Sequence, residues 1–511
     1  MGVGAGADSG EAVAEAGVRP LQAIVALGGI QVFTMLAGLA RTKVLAVLLG
    51  PSGVGIAGVI DQTVALITHL GSLSLPFAAL RYLSRRRSEG PEAFSRLYWA
   101  LLKTLVAASV LATAIAVGIA IWRTPVLGAE LQPYRWALVL GLAGAPGLTV
   151  VALLRNVLAA IDRPREAALA ALLGGLALIG TSYAGVRLGG LGGLYAGNLV
   201  VAALSAIALL WYLFRVYALS FAAGRGSVLP VLRAEPRLLE FCTIVHLLSI
   251  ASPLAYLVAR VDLLSHHGAE VAGLFSAAYG LALAVRVVLN QGNALYLSPL
   301  VNEATPPDRR AAAMVAYLRV LTVIVVLSGS AIVLFPSLWL RALYSARFIP
   351  AGTFLAAFML SESILLVAGV YQALLVGFDD VRTHLAISVL GQSGIVAVAL
   401  WLVPSHGALG VAAAFIVGHS VILALTVARL VYAHGARSAG RPVGPLAVGL
   451  VIVGLLGWWA AGAHAPPLFW KLALYTALAA VAVRLLTAEE RRWILGPWRG
   501  AGARATGDVS R

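Results

Sequence analysis

The chain is organised by long apolar runs, each ended by a short polar or glycine-rich connection. The runs lack the strict alternation of apolar and polar residues that marks the strands of a membrane barrel, so they read as helices. Splitting them at the loop signals predicts spans near 21–49, 56–81, 98–121, 136–158, 166–186, 193–214, 238–264, 271–298, 314–336, 350–376, 383–403, 408–431, 445–463 and 469–486. Each has about 18–28 residues, enough to cross a bilayer. The first and seventh are longer than a bilayer needs, so tilt or protruding ends are expected. The pattern predicts an all-α polytopic membrane protein with about fourteen transmembrane helices.

Polar residues inside these runs fall into stripes. In the first span Gln31, Thr34, Gly38 and Arg41 share one helical face, whereas Lys43, two residues on, points nearly opposite. The second span carries Asp61, Thr68 and Ser72 at facing positions. His246, Ser249, Pro253, Tyr256 and Arg260 line one face of the seventh, and Tyr279, Arg286, Asn290 and Asn293 one face of the eighth. A charge at mid-helix costs about 2.5–3.5 kcal/mol on insertion scales and persists where it faces protein or a watery interior. These stripes predict a central cationic cleft. Arg41, Arg260 and Arg286 are its charged binding residues, with Gln31, Thr34, Tyr256 and Asn290 beside them. Arginine suits a phosphate or pyrophosphate, because its planar fork donates paired hydrogen bonds to oxyanions. A structural alternative stands for each cation: Arg41 is also placed to pair with Asp61 or Asp262, and Arg260 with Asp262 in an Arg-x-Asp unit. Asp61, and Glu362 alone in the tenth span, are the candidates for coupling to a proton or sodium ion. His69, His246 and His419 read as interhelical hydrogen bonders rather than metal ligands, and Pro76, Pro146 and Pro253 mark expected kinks.

An internal repeat runs through the pattern. Arg41-Thr-Lys43 returns as Arg260-Val-Asp262, Gly55-Ile-Ala as Gly273-Leu-Phe, Asp162-Arg-Pro-Arg165 as Asp379-Asp-Val-Arg382, and Leu191-Gly192 as Leu409-Gly410, all at offsets of 217–219 residues. Four matches in order predict two pseudo-symmetric six-helix lobes of the same membrane orientation, a parallel repeat, followed by two C-terminal helices. The resulting division is a disordered cytoplasmic tail at 1–20, an N-lobe at 21–214, a cytoplasmic linker at 215–237, a C-lobe at 238–432, two further spans at 445–486 and a basic cytoplasmic tail at 487–511.

Composition sharpens the class. Of 511 residues 60% are hydrophobic and only 11% charged, against about 25% charged in a soluble domain. The net charge of +16 does not point to nucleic acid, because the basic residues cluster in loops. One set of connections holds Arg85-Arg86-Arg87, Arg163, Arg165, Arg215, Arg225, Arg233, Arg237, Arg309-Arg310, Arg382, Arg437, Arg441 and Arg491-Arg492. By the positive-inside rule that side is cytoplasmic, as are both termini, and the Arg85 run also suits anionic lipid. The single Cys242 excludes an intramolecular disulfide and a cysteine-based metal cluster. The N-terminus is acidic, unlike a secretory signal. The short loops leave no room for a soluble catalytic domain, so the chain reads as a transporter rather than an enzyme.

The stretch Lys43-Val-Leu-Ala-Val-Leu-Leu-Gly-Pro-Ser-Gly-Val-Gly55, with Leu80-Arg-Tyr-Leu83, Ile161-Asp-Arg-Pro-Arg165 and Gly-Leu-Gly-Gly-Leu194, resembles the bacterial polysaccharide and O-antigen flippases of the multidrug/oligosaccharidyl-lipid/polysaccharide exporter superfamily. The resemblance covers about residues 21–432. It implies alternating access and movement of an undecaprenyl-pyrophosphate-linked oligosaccharide from the cytoplasmic to the periplasmic leaflet of the bacterial inner membrane. It needs no cofactor beyond H+ or Na+, and its partners are the lipid-linked oligosaccharide, membrane lipids, and polysaccharide polymerase and chain-length proteins. Ala40-Arg41 with the apolar run to Gly50 also resembles the first helix of lipid II flippases, where an arginine in this register faces the cavity. That implies the same for Arg41. The second arginine those flippases carry one to two turns earlier has no match between Thr34 and Ala40. The rival functions are lipid II flippase, multidrug exporter, for which acidic and aromatic walls are expected, and a membrane-embedded glycan polymerase or ligase, for which large outer loops are expected.

Overall fold

A computed structural model describes residues 8–122, 129–217, 219–292, 307–434, 443–461 and 467–485. The tail at 487–511, Asn293, and the side chains of Gln31 and Thr34 lie outside what is described. Regular structure among the described residues is all helical. The main helices are α1 (Asp8–Ser72), α2 (Pro91–Trp122), α3 (Arg135–Ala143), α4 (Ala145–Ala160), α5 (Pro164–Val216), α6 (Val228–Ala234), α7 (Leu238–Gly292), α8 (Pro307–Leu334), α9 (Pro336–Leu343), α10 (Gly352–Gly377), α11 (Val381–Ala433), α12 (Val443–Ala461) and α13 (Leu468–Leu485). Eight described stretches are long and apolar enough to cross a membrane. The first helix begins at Asp8, within the stretch read as a tail.

Four of the helices each contain two of the spans read from the sequence. α1, α5, α7 and α11 have 65, 53, 55 and 53 residues, more than twice what a bilayer requires. Each is interrupted by a glycine at positive φ: Gly50 (68°), Gly190 (57°), Gly268 (76°) and Gly407 (55°). A side chain is strained in that backbone region, so the glycine lets the chain reverse without a loop. The sequence placed loops at these sites, and the turns are tighter than loops.

The repeat appears in the backbone as well as in the residues. Gly50 and Gly268 lie 218 residues apart, and Gly190 and Gly407, like the αL residues Asp162 and Asp379, lie 217 apart. The 3₁₀ turns Ala129–Tyr134 and Ala346–Ala351, each with an internal proline, obey the same offset. Duplicated segments that adopt the same rare dihedrals fold as copies of one unit.

Two compact units contain the described residues: one formed by Met1–Ser276, Leu343–Arg347 and Ile395–Val411, the other by Ala277–Ala342, Phe348–Gly394 and Ala412–Arg511. The core of the first gathers Leu83, Tyr98, Leu101, Leu153, Val157 and Leu213. Its outward faces are apolar as well, with Val110, Leu111 and Ile115 on α2 and Leu204, Ile207 and Trp211 on α5 all exposed. This is the surface of a helix bundle solvated by lipid. α1 does not run on through Pro76 but ends at Ser72, followed by Leu73 and Ser74, both at positive φ, before the short helical turn Leu75–Ala78 and a π-helical turn at Ala79–Leu83. The 215–237 connection is folded against the bundle. Trp99 donates from its indole to the Ser220 carbonyl (3.0 Å), the Tyr82 hydroxyl to the Pro236 carbonyl (3.1 Å), and Arg86 pairs with Glu235 (2.5 Å).

In the second unit the core is built from Met314, Leu321, Val367, Tyr371, Leu374 and Leu430. α12 packs on α8 and α10 through small residues: Gly329 faces Val453 and Gly457 faces Ala356. Between α10 and α11, Asp380 receives Arg429 (2.8 Å) and His434 (3.0 Å). Burial pushes this carboxyl up, but hydrogen bonds from Thr383, Arg429 and His434 outweigh it and hold the group at about 2. A depressed carboxylate pKa contributes stability that is complete above the unfolded value near 3.9 and is lost as pH falls through the folded value. Asp380→Asn is therefore expected to lower stability by about 1 kcal/mol at pH 7. The difference from wild type should vanish near pH 2, as read by thermal unfolding in detergent; a difference independent of pH would remove the carboxylate as its cause.

Candidate functional site

Arg41 lies in the limb of α1 that leads to the Gly50 bend and is half-buried. Its Nε donates to the Ser182 hydroxyl on α5 at 3.0 Å, and Ser182 is fully buried. That bond fixes the guanidinium by one edge and leaves the two terminal nitrogens of the fork to bind elsewhere. Among the described residues no carboxylate forms a salt bridge with Arg41. The pairing with Asp61 or Asp262 that the sequence left open is not made: Asp262 is bonded by His266 (3.2 Å). Asp61 lies 2.9 Å from the Tyr195 hydroxyl, which is also 3.0 Å from the Ala57 carbonyl. One hydroxyl proton thus serves two acceptors. Tyr195 is almost fully buried.

Arg260, in the same unit, is also half-buried. It donates to the Ser276 hydroxyl at 3.2 Å and lies over the Phe275 ring at 5.0 Å, a cation–π geometry. Its guanidinium fills the space a Cβ at Gly58 would take, which would lie 2.6 Å from Nη1. Tyr256 is buried. The Gln62 amide crosses to the Pro253 carbonyl at 3.1 Å. The first unit therefore assembles Arg41, Asp61 and Arg260 on packed helices, each held by a hydroxyl from a different segment.

Arg286 belongs to the second unit and is committed to Glu362 by a short salt bridge between α7 and α10. Glu362 is 1% exposed, while the Arg286 side chain is partly exposed. Glu362 is the lone charge of its own span, and its partner comes from another helix. A small cleft beside the pair is lined by Ala282, Leu289, Val325, Met359 and Ser363. His419 is bonded by the Ser361 hydroxyl at 3.0 Å, the interhelical role expected of it, and Tyr279 stacks edge-on with Phe358 and Phe415. Asn290, expected beside Arg286 in the site, is exposed near the end of α7. Among the described residues no three His, Cys, Asp or Glu side chains gather as a metal site.

Sequence reasoning missed three residues. Ser182 and Tyr195 hold Arg41 and Asp61, but one hydroxyl in an apolar helix is common and gives no signal of its partner. Arg155 on α4 was also missed. It is half-buried, with its Nε enclosed and without a hydrogen bond to described residues; a charge in an apolar run was signal enough.

Known proteins resemble both the sequence and the fold. Residues 21–303 match the family model for polysaccharide biosynthesis proteins. A lipid III flippase of Escherichia coli is 24% identical over 406 residues, 76% of this chain and 92% of the relative. Among solved structures, a lipid II flippase MurJ in an inward closed conformation superposes with a TM-score of 0.64 at 12% identity, over 93% of this chain and 99% of that one. An inward-facing multidrug resistance MATE family transporter of the MOP superfamily gives 0.61 at 16% identity, over 84% and 96%. Both likenesses are of fold.

Proposed function

The chain belongs to the polysaccharide biosynthesis protein family, and from that premise we propose that it is a flippase for a polyprenyl-pyrophosphate-linked oligosaccharide, an O-antigen or other surface polysaccharide repeat unit. It carries the head group from the cytoplasmic to the periplasmic leaflet of the bacterial inner membrane by alternating access, with both termini cytoplasmic and the glycine bends of α1 and α7 at the periplasmic end. The observation that carries this reading is Arg41: a guanidinium inside an apolar helix, held by a neutral serine, with its fork unmatched by any described carboxylate. Such a charge is costly in lipid, and a passing pyrophosphate offers it paired oxygens. The E. coli relative, a lipid III flippase, supports a lipid-linked cargo. A multidrug exporter of organic cations fits less well, since a cationic wall repels such cargo.

Alternating access with a charged cargo needs a free-energy source, and we place the coupling ion, H+ or Na+, at Asp61 with Tyr195 as its gatekeeper. Glu362 is less suited, because Arg286 already occupies it. The test is reconstitution in proteoliposomes with a lipid-linked oligosaccharide, following transfer between leaflets under an imposed H+ or Na+ gradient. Transfer is expected to be gradient-stimulated, and Asp61→Asn to remove the stimulation. Equal rates with both gradients collapsed would sink the coupling, and no transfer under any gradient would sink the flippase itself. Polysaccharide polymerase and chain-length proteins are the partners this role implies.

A further inference from the structure

The bends of α1 and α7 lie beside a contact that the charge stripes do not explain. Just past them the two second limbs touch through their backbones. A Cβ on Gly55 would overlap the Ala269 carbonyl and lie 2.8 Å from the Gly273 nitrogen, and a Cβ on Gly273 would overlap the Pro51 carbonyl. Gly55 and Gly273 are 218 residues apart, and so are Pro51 and Ala269. The contact is therefore reciprocal: each glycine meets the counterpart of the residue that its own counterpart meets. This is the self-complementary geometry of a two-fold dimer, formed here within one compact unit of one chain.

Neighbouring residues extend the seam. Arg347 Nη1 is 3.5 Å from the Cβ position of Gly50. Arg260 sits in the slot over Gly58, tied to Ser276, and Gln62 reaches the Pro253 carbonyl. Helices in lipid gain nothing by hiding apolar surface from each other, so such a seam is held by close packing and a few hydrogen bonds. Contacts of that kind are short-ranged and vanish together once the backbones part.

We propose that Gly55 and Gly273 form a reciprocal gate that shuts the periplasmic end of the pathway and must part in every cycle, with Arg260 latched over Gly58 while it is shut. Parting withdraws Gly58 from beside the guanidinium, while Ser276 and Phe275 on its own helix keep hold of Arg260. The proposal rests on the flippase reading above.

The test uses the full chain in a Cys242→Ser background. Gln62→Cys reports access from the periplasmic side to a membrane-impermeant maleimide. Gly273→Val is expected to raise its labelling rate at least about tenfold, because the seam no longer closes, while Gly394→Ala, whose Cβ meets open space, leaves it unchanged. An unchanged rate in Gly273→Val overturns the gate. A second arm keeps the native glycines. Ser52→Cys and Glu270→Cys, exposed repeat counterparts that flank the seam, are joined by a short reducible cross-linker. Glycan display is expected to stop and to return on reduction, and cross-linked protein that translocates at full rate would show the seam to be static. Faster labelling of Gly273→Val with glycan display intact upholds the gate and overturns the cargo, because labelling requires no substrate.

Discussion

Replacing Glu362 with alanine is expected to destabilise the protein by about 3–5 kcal/mol, the cost of leaving one member of a buried ion pair behind. Arg286 would keep its charge with its partner gone, on a helix that meets α10 inside an apolar core. The expected result is loss of protein from the membrane and a clearly lowered unfolding temperature in detergent. The paired variant Arg286→Met/Glu362→Leu removes both charges and substitutes apolar volume, a change that is often neutral. It is expected to recover most of the lost stability. A Glu362→Ala protein as stable as wild type would refute the buried pair. The double variant also separates structure from transport: if Arg286 touches the head group, the protein folds but translocates slowly, and a full rate would remove Arg286 from the proposed cleft.

Arg41→Ala is expected to cut surface glycan about 10- to 100-fold with membrane abundance unchanged. Losing a charged hydrogen-bonding partner of the cargo is worth about 1.5–3 kcal/mol. Arg41→Lys is expected to recover only part, because an ammonium keeps the charge but not the planar fork. Ser182→Ala removes the bond that aims the guanidinium while leaving the charge, at about 1 kcal/mol, or roughly fivefold. That ordering, alanine worst, lysine intermediate and the serine change mildest, distinguishes a cargo-binding arginine from a structural one. A structural arginine would lower abundance and stability in Arg41→Ala and leave the rate per molecule intact. Normal glycan in Arg41→Ala at normal abundance would end the cationic-cleft proposal.

Much of this was legible in the residues. Long apolar runs without alternation leave only a helical membrane protein, because lipid offers no partner to an unpaired backbone. The repeat was legible too, since Gly55 with Gly273 and Asp162 with Asp379 keep nearly one offset, and Asp162 and Asp379 share a rare positive φ. The reversals at Gly50 and Gly268 were marked as breaks but read as loops: glycine signals a break without saying that the helix resumes at once. The stripes placed Arg41, Asp61 and Arg260 on polar faces, and all three are held by polar groups of neighbouring segments.

Periodicity along a helix orders positions by azimuth around its own axis, and composition sets what that helix can be buried in. Both are local, and from them follow the helices, their duplication and the charges within them. Which partner each charge finds depends on how two helices are rotated and shifted against each other, a property of neither sequence alone. Tertiary packing therefore decided that Ser182 would hold Arg41 from 141 positions away and that Tyr195 would reach Asp61 across 134. It also decided that Glu362, the lone charge of its span, would be paired with Arg286 from another helix.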